Sequence, residues 1–135
     1  MPMLKDETLS LRSSEDIVVI RQAVRAAAVE LRFSLVEQTK IITAASELAR
    51  NTLDYGGGGG VRLQALHEGN RRGLRLTFED KGPGISDIER ALKDGYTSGG
   101  GLGLGLGGAR RLSNEFAIES RPGEGTRVTI ARWTT

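Results

Sequence analysis

The amino-acid sequence predicts an α+β protein: a two-layer α/β sandwich with helices on one face of a mixed, largely antiparallel sheet. Three observations carry this expectation. Stretches with helical apolar spacing are interleaved with stretches that alternate at period two, and the alternating stretches come in pairs. Turn-forming residues separate the members of each pair, so each should close as a hairpin. The 135 residues suffice for one core and are too few for two ordinary ones, so 1–135 is expected to be a single domain.

Thr8-Leu9-Ser10-Leu11-Arg12 alternates and predicts a first strand. Ser14 is placed to cap a helix from about Glu15 to Leu31, whose apolar stripe is Ile17, Ile20, Val24, Ala27, Ala28 and Leu31. Ser34 and Glu37 have capping-box spacing for a second helix, which should run to about Tyr55, where Gly56 to Gly60 end it. Its core arc is Ile41, Ile42, Ala45, Leu48, Ala49 and Leu53. Glu47 and Asn51 lie off that arc and, four apart, stand one above the other.

Residues 61–66 and 74–78 alternate around Glu68-Gly69-Asn70-Arg71-Arg72-Gly73, which predicts a hairpin with a longer loop. The second strand runs into Glu79-Asp80-Lys81-Gly82-Pro83-Gly84-Ile85, a carboxylate followed by a sharp turn. Ser86 and Glu89 have the spacing of another capping box, for a short helix to about Lys93. Glu115–Ser120 and Thr126–Trp133 form the last hairpin around Arg121-Pro122-Gly123-Glu124-Gly125.

Charge and composition exclude several functions. The 19 basic and 17 acidic residues are interspersed and give a net charge of +2, without the basic stripe of a nucleic-acid binder or the polybasic run of a membrane anchor. The absence of cysteine excludes disulfides, thiolate metal sites and cysteine nucleophiles. No apolar run reaches the roughly 18 residues of a membrane span and no signal-like stretch opens the chain, so the expected location is cytoplasmic.

The densest chemical signal is Ser98-Gly99-Gly100-Gly101-Leu102-Gly103-Leu104-Gly105-Leu106-Gly107-Gly108, leading into Ala109-Arg110-Arg111-Leu112. Each glycine costs roughly 0.5–1 kcal/mol against alanine inside a helix or strand, so this density is expected in a loop whose backbone approaches a ligand. A glycine loop that opens a helix offers free N–H groups to phosphate. A dinucleotide-binding loop would follow a strand directly within a βαβ unit, and a P-loop would carry Gly-Lys-Ser/Thr; neither context is present. The elements of eukaryotic-type protein kinases are missing too, since the only histidine is His67.

What remains is three separated pieces: Glu47 with Asn51, the Asp80-Lys81-Gly82-Pro83-Gly84 turn, and Gly101-Leu102-Gly103-Leu104-Gly105. In this order, on a helix, a strand end and a helix start, they resemble the N, G1 and G2 boxes of the GHKL superfamily of ATP-binding domains, whose fold is the Bergerat fold. Ser46-Glu47-Leu48-Ala49-Arg50-Asn51, Glu79-Asp80-Lys81-Gly82-Pro83-Gly84-Ile85, Asp94-Gly95-Tyr96-Thr97-Ser98-Gly99-Gly100 and Gly123-Glu124-Gly125-Thr126 narrow the resemblance to its anti-sigma-factor kinase branch, and there to the serine/threonine switch kinases of the bacterial stressosome.

The resemblance implies the following roles. Glu47 is the general base, Asn51 a Mg²⁺ ligand that also belongs to the ATP site, and Asp80 the acceptor for the adenine amino group. Gly82, Gly84 and Ile85 turn beneath the base, and Thr126 supports it through water. Asp87 to Gly105 form an ATP lid that orders on nucleotide binding, with Gly99, Gly100, Gly101, Leu102, Gly103, Leu104 and Gly105 against the triphosphate. Two departures stand out. No basic residue precedes the G2 box, leaving the phosphates to Mg²⁺, the helix dipole and Lys93, Arg110 or a partner residue, and Tyr55 stands where several relatives have histidine. The implied activity is Mg-ATP-dependent phosphorylation of a STAS-domain partner of RsbS or RsbR type, followed by activation of a PP2C-type phosphatase of RsbU type. The alternative is an anti-sigma factor that sequesters a sigma factor and phosphorylates its antagonist.

Overall fold

The computed structural model describes residues 3–85, 87–92 and 105–134. Five strands, β1 (Met3–Leu11), β2 (Gly59–Glu68), β3 (Arg71–Asp80), β4 (Glu115–Arg121) and β5 (Gly125–Thr134), form one sheet in the order β1-β2-β3-β5-β4. Every pairing among them is antiparallel, so the mixed character expected from sequence is not seen in the described sheet. Helices α1 (Ser14–Glu30), α2 (Leu35–Asp54), α3 (Ile88–Ala91) and α4 (Gly105–Arg111) complete the described elements.

Period-two alternation builds the sheet's inner face. Leu74, Leu76 and Phe78 of β3 meet Val61 and Leu63 of β2 and Val128 and Ile130 of β5, all buried. The stripe expected on α1 is buried throughout, and Ile41, Ala45 and Leu48 of α2 join it in one core. A fully buried side chain of this size contributes about 1.5–3 kcal/mol, so a dozen of them dominate the favourable side of folding.

Helix ends follow local chemistry. Ser34 and Glu37 make the reciprocal capping box, with Glu37 N–H donating to Ser34 Oγ at 3.1 Å and Ser34 N–H to Glu37 Oε1 at 3.0 Å. At α1 the cap position is Ser13 rather than Ser14, and its side chain makes no capping bond; Asp16 Oδ2 accepts from Arg12 N–H at 2.8 Å instead. At α3 the cap is Asp87, whose Oδ1 accepts from Arg90 N–H at 3.0 Å, and the helix stops at Ala91 rather than near Lys93. Ser86, the expected cap, lies outside the described residues. The β2–β3 connection is a two-residue turn, Gly69-Asn70, with Glu68 already paired to Arg71, tighter than the loop expected. Gly69 at φ 60° supplies the left-handed conformation such a turn needs.

The described end of the glycine stretch is helical: Gly105, Gly107 and Gly108 lie within α4 and are buried, so the helix expected to follow the stretch already begins inside it. The helix packs against α2, whose buried residues include Ala44, Ala45 and Ala49. Glycine in α4 leaves room for a packed neighbour, and burial of the helix offsets the helix-propensity cost of glycine.

Candidate active site

Strand parity delivers the central carboxylate. The alternation that turns Leu74, Leu76 and Phe78 inward carries Asp80 to the same face at the strand's end, where its register partner is Thr126 of β5. Asp80 Oδ1 accepts from Gly82 N–H at 2.8 Å, and the Thr126 N–H also donates to the carboxylate. Partial burial raises the carboxyl above the ordinary carboxylate range, with the two N–H groups acting against that rise.

A cavity of about 340 Å³ opens over Asp80. Leu48, Phe78, Leu106 and Val128 give it apolar walls, and its polar groups include Asn51, Tyr55, Asp80, Asp87, Arg90 and Thr126. An apolar slot with a few convergent polar groups suits a flat heteroaromatic base. Of the residues singled out from sequence, Asn51, Asp80, Gly84, Ile85, Gly105 and Thr126 line this one space. Gly82 stands behind it, bonded to Asp80. Gly99, Gly100, Gly101, Leu102, Gly103 and Leu104 lie outside the described residues, as do Lys93 and most of the expected lid.

Two glycines show why no other residue would do. A Cβ on Gly82 would come within 2.6 Å of Gly56 Cα, so the turn after β3 lies directly on the end of α2. Gly125, at φ 85°, has no room for a side chain against the Asp80 carbonyl oxygen.

Ser120 of β4 ties these pieces together. Its Oγ accepts from Ile85 N–H at 2.7 Å, donates to the Gly125 carbonyl at 3.0 Å and lies 2.8 Å from Thr126 Oγ1. One hydroxyl on an edge strand thus links the turn after β3, the β4–β5 turn and the threonine on the cavity wall.

Glu47 is 6% exposed, which corrects the view of Glu47 and Asn51 as a polar pair away from the core arc. It belongs to the buried set of α2, one turn before Asn51, and is not itself part of the cavity wall. A carboxylate so enclosed is no ordinary solvated helix residue, since burying charge is costly unless it is partnered. Sequence reasoning missed Arg90, which lines the cavity, and Ser120, which its place opposite Thr126 in the second hairpin would have flagged. It also missed Gly56, which reads in sequence as part of a helix-ending glycine run.

Residues 36–134 match the family described as histidine kinase-, DNA gyrase B- and HSP90-like ATPase, and the chain belongs to that family. Its sheet with helices on one face is the corresponding Bergerat-type fold. The serine/threonine-protein kinase RsbT of Bacillus subtilis (strain 168) is 45% identical over 118 residues, 87% of this chain and 89% of that protein. The chain is thereby placed among the RsbT-type serine/threonine-protein kinases. An anti-sigma F factor of Thermoanaerobacter sp. (strain X514) is 30% identical over 129 residues, 91% of this chain and 89% of that protein. In the crystal structure of the RsbU and RsbW domains of a Mycobacterium tuberculosis protein, the matching fold has a TM-score of 0.64 at 21% identity, covering 98% of this chain and 32% of that one.

Proposed function

We propose that residues 1–135 act as a single Mg-ATP-dependent kinase domain, working in the cytoplasm, that phosphorylates a serine or threonine of a STAS-domain partner of RsbS or RsbR type. Once released from that partner, the kinase binds and activates a PP2C-type phosphatase of RsbU type. The observation that carries this reading is the convergence of Asn51, Asp80, Ile85 and Thr126 on one apolar-walled cavity, with Glu47 buried one helical turn away.

Asp80 and Thr126 orient the adenine, and Phe78, Val128 and Leu106 exclude water from its faces. Asn51 offers an amide oxygen at the wall, a donor suited to Mg²⁺, which takes oxygen ligands and fills much of its shell with phosphates and waters. When bound, that ion neutralises triphosphate charge. Arg90 adds a guanidinium at the same cavity and answers the lack of a basic residue before Ser98-Gly99-Gly100.

Transfer of this kind is mainly positioning and charge stabilisation. Glu47 accepts the proton of the partner's hydroxyl as its oxygen bonds the γ-phosphorus and the bond to the β-phosphate oxygen breaks, releasing ADP. General-base assistance is worth about 10²–10⁴-fold. Glu47→Gln should therefore bind ATP as the parent does and lose phosphotransfer to a STAS protein by that factor, read with γ-labelled ATP. Undiminished transfer by the variant would remove Glu47 from the mechanism.

The similarity to anti-sigma F factor over 91% of the chain favours one second reading, sequestration of a sigma factor with phosphorylation of its antagonist. Co-purification decides between the two: a STAS protein and a phosphatase for the first, a sigma factor for the second.

A further inference from the structure

We propose that Ser120 fixes the hydrogen-bond polarity of Thr126, so that the cavity selects a purine with a 6-amino group over one with a 6-oxo group. The proposal rests on the ATP reading above and adds a specificity-determining residue that does not itself line the cavity.

A hydroxyl has one proton and two lone pairs. Around Ser120 Oγ, the Ile85 N–H at 2.7 Å can only donate and occupies one lone pair. The Gly125 carbonyl at 3.0 Å can only accept and takes the proton. The third neighbour, Thr126 Oγ1 at 2.8 Å, must then donate to the remaining lone pair. No other assignment makes all three short contacts hydrogen bonds; were Ser120 to donate to Thr126, two oxygens would face each other at 3.0 Å with no proton between them.

Thr126 has thus committed its only hydroxyl proton away from the cavity and shows it lone pairs alone. Its register partner Asp80, when ionised, also only accepts. This end of the cavity is an all-acceptor surface. An amino group, or a water that donates both to Thr126 and to an unprotonated ring nitrogen, satisfies it. A 6-oxo purine turns a carbonyl toward the Asp80 carboxylate, acceptor against acceptor, and its ring N–H cannot take the proton of a water that also donates to Thr126; sites built on such pairing discriminate strongly.

Ser120 is a positioning residue here, and the test separates that role from simple bracing of the turns. ATP and ITP differ at the purine 6-position, and their Kd values are measured by calorimetry on the full chain. The parent should prefer ATP. In Ser120→Ala the Thr126 proton is free to turn inward, and the ATP:ITP preference should shrink about tenfold, the worth of one hydrogen bond. Ser120→Thr, which keeps the hydroxyl, should restore it. If Ser120 only braces the Ile85 and Gly125 turns, both nucleotides weaken by one factor and the ratio stays, which overturns the proposal. Should Ser120→Ala fail to fold, Ser120→Cys, whose thiol is only a weak donor and acceptor, carries the same test: a reduced ratio supports the polarity account and a parental ratio refutes it. A parent protein that binds neither nucleotide would instead refute the ATP reading itself.

Discussion

The β3–β5 ladder ends differently at its two extremities. At one, Gly73 pairs with Trp133 on the outer face, and the indole lies where a Cβ on Gly73 would stand, 2.5 Å from the ring. Leu66 and Ala131 pack beside it, Trp133 Nε1–H donates to Glu115 Oε2 at 2.7 Å, and the Arg71 guanidinium lies 4.6 Å from the ring centroid. At the other extremity, on the inner face, Asp80 pairs with Thr126, and the space above them is left open. Glycine makes room at both ends. The tryptophan end spends that room on its own side chain, whereas the aspartate end keeps a partly buried carboxylate beside an apolar-walled cavity, an arrangement that costs stability.

The largest effect that separates the two ends should come from Trp133→Ala. Loss of the indole should cost about 3 kcal/mol or more in denaturant unfolding, while ATP affinity per folded molecule stays within about twofold. A parallel loss of ATP affinity would join the ends that the comparison separates.

Asp80→Asn should do the reverse, weakening ATP by roughly a hundredfold through loss of a charged acceptor, with the fold intact. It also carries a pH signature. Because burial raises the Asp80 carboxyl, the folded protein holds that proton more tightly than the unfolded chain does. Relative to Asp80→Asn, the parent should therefore gain stability as pH falls from neutral through the raised value, and level off below the unfolded carboxylate's range. Denaturant curves taken from neutral pH to below the unfolded carboxylate's range check this; a flat difference would mean that burial does not act on this group.

The smallest contrast lies within one turn. Gly123 and Gly125 both have positive φ, 79° and 85°, yet a Cβ on Gly123 meets nothing within 4 Å while one on Gly125 meets the Asp80 backbone. Gly123→Ala should cost about 1–2 kcal/mol for the left-handed conformation alone. Gly125→Ala should cost about 1–3 kcal/mol more, from the clash. Equal losses would mean that the turn yields without disturbing Asp80.

Elements whose residues obey a simple period were legible in sequence. The α1 stripe, the Ser34–Glu37 box and both hairpins follow from local spacing, and the inward parity of Asp80 and Thr126 follows from Phe78 and Val128. What was not legible depends on neighbours distant in the chain. Glu47 is buried by packing that helical spacing within α2 does not reveal. Gly107 and Gly108 read as loop because the helix they belong to is held by packing against α2, an element distant in the chain. Arg90 and Ser120 join the site only once α3 and β4 are set against the turn after β3.

The most direct test of the central claim, that the aspartate end is built for nucleotide and the tryptophan end for stability, is an amide-resonance titration of the ¹⁵N-labelled protein with Mg-ATP. Gly82, Ile85 and Thr126 should shift along one saturable curve while the Trp133 indole N–H stays in place. A moving indole with Gly82 and Ile85 unmoved would contradict the account.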